Sequence, residues 1–199
     1  MGIEYEHKFS ATSADLTAIR SEISGTWTKI LMETTYYDTP DGDLSDARCT
    51  LRRRMENDVS VCTLKAPDEG LARREWEILC GDIQQAADYF SRTDCPPEFA
   101  SWAAKGLEPI CGARFTRLIS TFSGPGWEAE VALDQGVLLG GGRTEPICEV
   151  EVEAKSGTPA QTDRVARDLA ARFHLSPLSL SKFARAHALA LGGRHEEAL

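Results

Sequence analysis

The chain has 199 residues, of which 42% are apolar and 27% charged, with a formal net charge of −9, a balance that predicts one globular domain rather than a disordered or fibrous chain. An acidic protein of this kind lacks the broad basic surface that releases counterions from a nucleic-acid backbone, so nucleic acid is excluded as the expected partner. No apolar run reaches the ~20 residues that span a bilayer, and the first residues are acidic where a signal peptide would be basic and then apolar; no membrane partner and a cytoplasmic location are expected.

The chain opens with "EYEHK", in which Glu4, Glu6 and Lys8 occupy alternate positions while Ile3, Tyr5, His7 and Phe9 occupy the others. In a strand, successive side chains point to opposite faces, so one face is charged and the other mostly apolar. "SATSADLTAIRSEIS" offers Ser or Thr as an N-cap and then Leu16, Ile19 and Ile23 at helical spacing, which predicts a short amphipathic helix. "TWTKILMETTYYDT" is rich in β-branched and aromatic residues and ends at the turn-like "TPDGD". "CTLRRRM" and "VCTLKAP" flank "ENDVS" as a hairpin, and "LARREWEILC" adds a strand.

Two short helices follow in "DIQQAADYFSR" and "EFASWAAK", separated by Pro96 and Pro97, since proline removes a helix donor and clashes with the preceding turn. "ARFTRLISTF" and "WEAEVALDQG" form a long hairpin around "GPG", and "EPICEVEVEAK" is the last strand. Thr158 caps and Pro159 opens a helix through "GTPAQTDRVARDLAARF", and "SLSKFARAHALALGG" is a second helix ending at Gly192 and Gly193. About eight strands joined mostly as hairpins and flanked by helices favour an α+β chain built on an eight-stranded antiparallel β-barrel. It is expected to fill residues 1–191 as one domain, with 192–199 as a tail. Cys49, Cys62, Cys80, Cys95, Cys111 and Cys148 include no C-x-x-C pair and read as reduced core thiols.

The period of two repeats its message along the chain. Arg52 and Arg54 share a face, as do Arg73, Glu75 and Glu77, then Glu128 and Glu130, then Glu149, Glu151 and Glu153 opposite Val150 and Val152. The valine face must pack on the flanking helices, which turns the charged face inward. A flat sheet with its charges in water is the competing arrangement. A buried ion costs several kcal/mol even after relaxation, so an inward lining of acids and bases implies a wet cavity meant for a ligand. Arginine and lysine suit phosphate groups, and glutamates beside them would repel that anion unless a hard divalent cation lay between. The mixed lining therefore implies a metal-bound polyphosphate.

The E-x-E-x-K of "EYEHK", followed in order by "YYDTPDGDL", "TLRRR", "TLKAP", "RREWEI", "ALDQGVL", "EPICEVEVEAKSG" and "SKFARAHAL", resembles the CYTH superfamily of triphosphate tunnel metalloenzymes over nearly the whole chain. It looks most like the bacterial inorganic triphosphatase branch, chiefly through "ALDQG" and "EPICEVEVE". The resemblance implies a tunnel of eight antiparallel strands that binds a small-molecule triphosphate with Mg²⁺ or Mn²⁺, in a monomer or homodimer. It assigns Glu4, Glu6, Glu151 and Glu153 to the metal, with Glu149 as an extra participant. It assigns Lys8, Arg52, Arg54, Lys65, Arg73, Arg117 and Lys182 to the phosphates, with Arg185 as a weaker addition. Glu6, Lys8 and either Glu75 or Glu77 stand nearest the reaction, the last pair as carboxylates for a second metal or the attacking water. Asp134, Gly136 and the acids of "DTPDG" read as turn residues, and His7, opposite Glu6, as a histidine without a catalytic part.

Three activities fit this lining. The first is hydrolysis of tripolyphosphate to pyrophosphate and phosphate. Adenylyl cyclase or thiamine triphosphatase chemistry would need an aromatic platform at the tunnel mouth, for which Trp27, Tyr36, Tyr37 and Trp76 are the candidates. A non-catalytic polyphosphate or nucleotide sensor is the third, and would not need both acidic clusters.

Overall fold

Strands joined by tight turns or by short helical segments pair side by side into one antiparallel sheet. The computed structural model describes residues 5–23, 25–68 and 73–193. The chain begins with β1 (Glu6–Ser10), α1 (Ser13–Glu22), β2 (Thr28–Asp38) and the short α2 (Asp43–Asp46). A meander of β3 (Thr50–Glu56), β4 (Val59–Pro67) and β5 (Arg73–Leu79) leads to α3 (Ile83–Phe90) and α4 (Phe99–Ala103). Three long strands follow, β6 (Glu108–Gly124), β7 (Trp127–Gly140) and β8 (Arg143–Ser156), and then α5 (Pro159–Phe173), β9 (Ser176–Pro177) and α6 (Lys182–Ala190).

Local chemistry explains the boundaries. Asn57 reverses the β3–β4 hairpin with a positive φ of 53°, a conformation asparagine tolerates, and its Oδ1 accepts the Leu31 amide at 2.9 Å. In the "DTPDG" turn Asp38 is buried and accepts the amides of Thr39, Leu44 and Ser45, which bears out its reading as a turn residue. Thr12 and Asp15 form a reciprocal capping box at α1, and Thr158 and Gln161 form another at α5.

The sheet order is β5-β4-β3-β2-β6-β7-β8-β1-β9. The eight strands expected from the sequence are joined by β9, a two-residue pairing with Phe9 and Ser10 that is too short to leave a pattern. Among the described residues the hydrogen-bond ladder stays open between β5 and β9, so the tunnel is walled by strands without being a fully bonded barrel.

The outward face of the sheet is apolar and covered. Leu51, Leu64 and Trp76 pack under Phe90 and Phe99 from α3 and α4. Phe9, Val131, Val150 and Val152 pack under Leu16 and Ile19 of α1 and Val165 and Leu169 of α5. The Val/Glu alternation therefore sends valine to the helices, as expected, and removes the flat solvated sheet. Helix α6 lies against the ends of β6 and β7, close enough that a Cβ on Gly140 would stand 2.4 Å from the Ala186 carbonyl oxygen.

Candidate active site

The inward side chains of β1 to β8 and the start of α6 line one cavity of about 840 Å³. Twelve of the charged residues singled out from the sequence meet there: Glu6 and Lys8 from β1, Arg52 and Arg54 from β3, Lys65 from β4, Arg73, Glu75 and Glu77 from β5, Arg117 from β6, Glu151 and Glu153 from β8, and Lys182 from α6. Glu4 lies outside the described residues. Glu149 and Arg185 are not in the cavity lining; both are buried, and the Arg185 guanidinium donates to the Glu149 carboxylate.

One part of the wall is a closed ionic network. Ser181 caps α6 by accepting the Ala184 amide at 3.1 Å, which sets Lys182 in the first turn. Its Nζ lies 2.7 Å from Glu149 Oε2, 2.7 Å from Glu151 Oε1 and 2.8 Å from Asp134 Oδ2. An ammonium has three donors, and here three carboxylates take them. Arg117 grips Asp134 through Nε to Oδ1 at 2.7 Å and Nη2 to Oδ2 at 2.6 Å, and also bonds Glu151. Phe115 lies beneath both cations, 5.1 Å from Lys182 and 5.7 Å from Arg117. Burial alone would push the Glu151 carboxyl up, yet Lys182 and Arg117 together outweigh it and hold it well below the ordinary carboxylate range. Burial likewise opposes the Lys182 ammonium, and Glu151, Asp134 and Glu149 outweigh it, holding that group above the ordinary lysine value. Asp134, Glu149 and Glu151 offer oxygens within 4.8 Å of one another, a metal-like spacing that the lysine fills.

Asp134 and Gly136 are corrections to the sequence reading. Both sit inside β7 rather than in a turn, paired with Arg117 and Phe115 of β6. Asp134 is fully buried, and Gly136 is required because a Cβ there would stand 2.1 Å from the Arg114 carbonyl oxygen. Period two carried on from Glu128 and Glu130 places Asp134 on the charged face. Turn composition concealed it.

The second acidic part is a row. Glu153 stands directly opposite Glu6 on β1 and opposite Glu130 on β7, which sets three glutamates at one level of three neighbouring strands. Glu130 and Lys155 line the cavity and had received no role from the sequence. Lys8 pairs with Glu6 at 2.8 Å; Lys155 lies 2.8 Å from Glu153 and 3.8 Å from Glu130.

Across the cavity Glu75 lies 3.4 Å from Lys65 and 3.9 Å from Arg52, while the Thr63 hydroxyl donates to Glu77 at 3.5 Å. Arg52 and Arg54 each keep a buried Nε–H with no hydrogen-bond partner among the described residues. Burial, reinforced by the charge of Arg52, pushes the Arg54 guanidinium below its ordinary value. Two unsatisfied cationic donors in one wall call for an anion.

Of the four aromatic candidates for a base-stacking platform, three stand outside the cavity lining. Trp27 and Tyr37 pack among the outer apolar clusters, as does Trp76, whose indole N–H bonds Asp94 at 2.8 Å. Tyr36 reaches the cavity, but it is buried and packs against Phe183. His7 points away from the cavity, as expected, and bonds Asp163 of α5 at 2.8 Å, a carboxylate that also accepts the Tyr5 hydroxyl.

Strands walling a tunnel of mixed charge, with helices outside, define the class of protein. The CYTH domain family model matches residues 2–186, and the chain belongs to that family. It is 31% identical over 132 residues to the inorganic triphosphatase of Haemophilus influenzae, an alignment that covers 64% of this chain and 37% of that one, so the chain spans well under half of that relative. Among solved structures, the Hippeastrum protein HpAC1, named for adenylyl cyclase and described as having a dominant triphosphatase activity, superposes with a TM-score of 0.69 at 17% identity and 97% coverage of each chain. A Bacillus halodurans protein named for adenylate cyclase superposes with a TM-score of 0.60 at 17% identity, covering 90% of this chain and 94% of that one. At these identities the superpositions show the shared fold alone.

Proposed function

We propose that this CYTH protein is a divalent-cation-dependent triphosphatase that hydrolyses tripolyphosphate to pyrophosphate and phosphate. The observation that carries the reading is the pair of buried, unpartnered Nε–H donors on Arg52 and Arg54, in a cavity that also exposes a carboxylate row on its opposite strands. Guanidinium donors match phosphate oxygens, and with Lys65 and Arg73 they hold the phosphate chain along β3 to β5. The row of Glu6, Glu153 and Glu130 fits a hard cation, which takes one or two carboxylates and keeps phosphate oxygens and waters as its other ligands. A cation bound there supplies neutralisation of the charge that develops on the phosphates.

The chain's own residues do the rest. Arg117 and Lys182 are locked by Asp134, Glu149 and Glu151, so they present fixed positive charge instead of moving with the substrate. Glu75 is engaged by Lys65 and Arg52; Glu77 is the carboxylate left to orient the attacking water. Water adds to the terminal phosphorus, the P–O bond to the bridging oxygen breaks, and pyrophosphate leaves. With Trp27, Tyr37 and Trp76 packed outside the cavity, and Tyr36 reaching it but buried against Phe183, an inorganic substrate is favoured over a base-bearing one.

The test is incubation with tripolyphosphate, ATP and thiamine triphosphate in Mg²⁺ or Mn²⁺, with free phosphate and cyclic AMP measured separately. Phosphate released fastest from tripolyphosphate is the expected result. Cyclic AMP as the main product would replace this reading with the cyclase one, and binding without turnover would replace it with the sensor.

A further inference from the structure

Lys155 holds a place in the cavity that the mechanism above leaves unused. It continues the inward period of β8 after Glu151 and Glu153, and its ammonium lies 2.8 Å from Glu153 Oε2 and 3.8 Å from Glu130 Oε1. Like charges directly opposite one another in a sheet repel, and the row Glu6, Glu153 and Glu130 sets three in line. Lys8 answers Glu6, and Lys155 answers the other two.

The cations of the wall differ in how firmly they are held. Lys182 has three carboxylates within 2.8 Å and is 10% exposed; Arg117 has a two-pronged grip on Asp134. Lys155 has one short contact and one long one, and its side chain is 38% exposed. A half-exposed lysine in a single close pair is held weakly and can be displaced without unfolding anything. It occupies the oxygens that a divalent cation would need.

We infer that Lys155 is the resident counter-ion of the carboxylate row, and that a divalent cation must displace its ammonium from Glu153 and Glu130 to bind. This rests on the assignment of the row to the metal, proposed above. Lys155 thereby sets the affinity of the metal step: it keeps the row neutralised before metal arrives and lowers the apparent affinity for the ion. It is a positioning residue for the metal carboxylates. The divalent charge outcompetes it because the attraction to the same oxygens scales with the charge.

Mn²⁺ binding without substrate, followed by electron paramagnetic resonance or calorimetry, tests the exchange apart from turnover. Lys155→Met keeps the length of the side chain and removes its charge, and is expected to bind Mn²⁺ roughly tenfold more tightly than the wild type. Lys155→Arg restores the charge and is expected to return the affinity to within about twofold of the wild type. Unchanged affinity in a folded Lys155→Met protein that binds Mn²⁺ would overturn the counter-ion role and leave the triphosphatase reading standing. Weaker binding in Lys155→Met would overturn it too, since it would make the lysine a support of the site. Failure of wild type and variants alike to bind Mn²⁺, with or without tripolyphosphate, would remove the metal assignment and this inference together.

Discussion

Arg117 clasps Asp134 with two parallel hydrogen bonds of 2.7 and 2.6 Å, and the aspartate at the centre of that clasp is fully buried. Its second oxygen also faces Lys182 at 2.8 Å, so one carboxylate compensates two cations of the cavity wall. Removing one member of a buried pair leaves its partner's charge uncompensated, at a cost of about 3–5 kcal/mol. Asp134→Ala is therefore expected to lower the unfolding free energy obtained from urea titration by an amount in that range, and the urea midpoint with it, with activity falling because Arg117 and Lys182 lose their fixed positions. A midpoint within experimental error of the wild type would mean that Glu149 and Glu151 hold the network alone.

Asp134 also marks where the sequence was legible and where it was not. The charged faces of β1, β3, β5 and β8 could be read from alternation, because each strand repeats its pattern over five residues or more and the opposite face is mostly apolar. In β7 the same alternation passes from Glu130 through Ala132 to Asp134, but Asp-Gln-Gly is also what a turn contains, and local composition outweighed periodicity. Lys155 was missed for a related reason: the run of three glutamates drew attention from the lysine that completes their period. The open ladder and β9 leave no pattern at all, since strand closure depends on the curl of the whole sheet and two residues carry no period. The division of the acids into a closed network around Lys182 and a row around Glu153 depends on which strands are neighbours. Alternation within a strand says nothing of that.

Glu6 and Glu153 stand opposite each other at the start of the carboxylate row. Glu6→Gln keeps the shape and hydrogen bonds of the side chain while removing a metal-type oxygen charge. Turnover of tripolyphosphate in Mg²⁺ or Mn²⁺ is expected to fall to background, with the melting temperature of the ligand-free protein nearly unchanged, and a chelator is expected to do the same to the wild type. Intact activity in Glu6→Gln would count heavily against the row as the metal position.

The network gives stability a pH dependence with two limbs. Glu151 is held below its ordinary value of 4.5, so its contribution is present above that pH and drains away as pH falls from 4.5 through the depressed folded value. Lys182 is held above its ordinary value of 10.5, so its contribution is complete below that pH and is lost as pH rises from 10.5 through the raised folded value. Melting temperature is expected to fall at both ends. In Glu151→Gln the acid limb loses this component and becomes shallower. Acid limbs of equal slope in the two proteins would take Glu151 out of the linkage.

The arginines of β3 offer the most direct measure of ligand binding. A ligand that binds only the folded protein stabilises it by about 2.7 kcal/mol when present at 100 times its dissociation constant. For a chain of this size each kcal/mol moves the melting temperature by about 2–4 °C. Tripolyphosphate with Mg²⁺ is therefore expected to raise the melting temperature by ~5–10 °C. Arg52→Met and Arg54→Met each remove a buried Nε–H that has no partner among the described residues; what they give up in the ligand-free protein is the long Arg52–Glu75 contact of 3.9 Å and the Arg54–Glu56 pair, partly exposed pairs worth about 1 kcal/mol or less. Both variants are expected to melt near the wild type alone and to lose most of the shift with ligand. A full shift in the pair of variants would mean that the phosphates are held elsewhere, and the orphaned donors would have to be explained by something other than an anion.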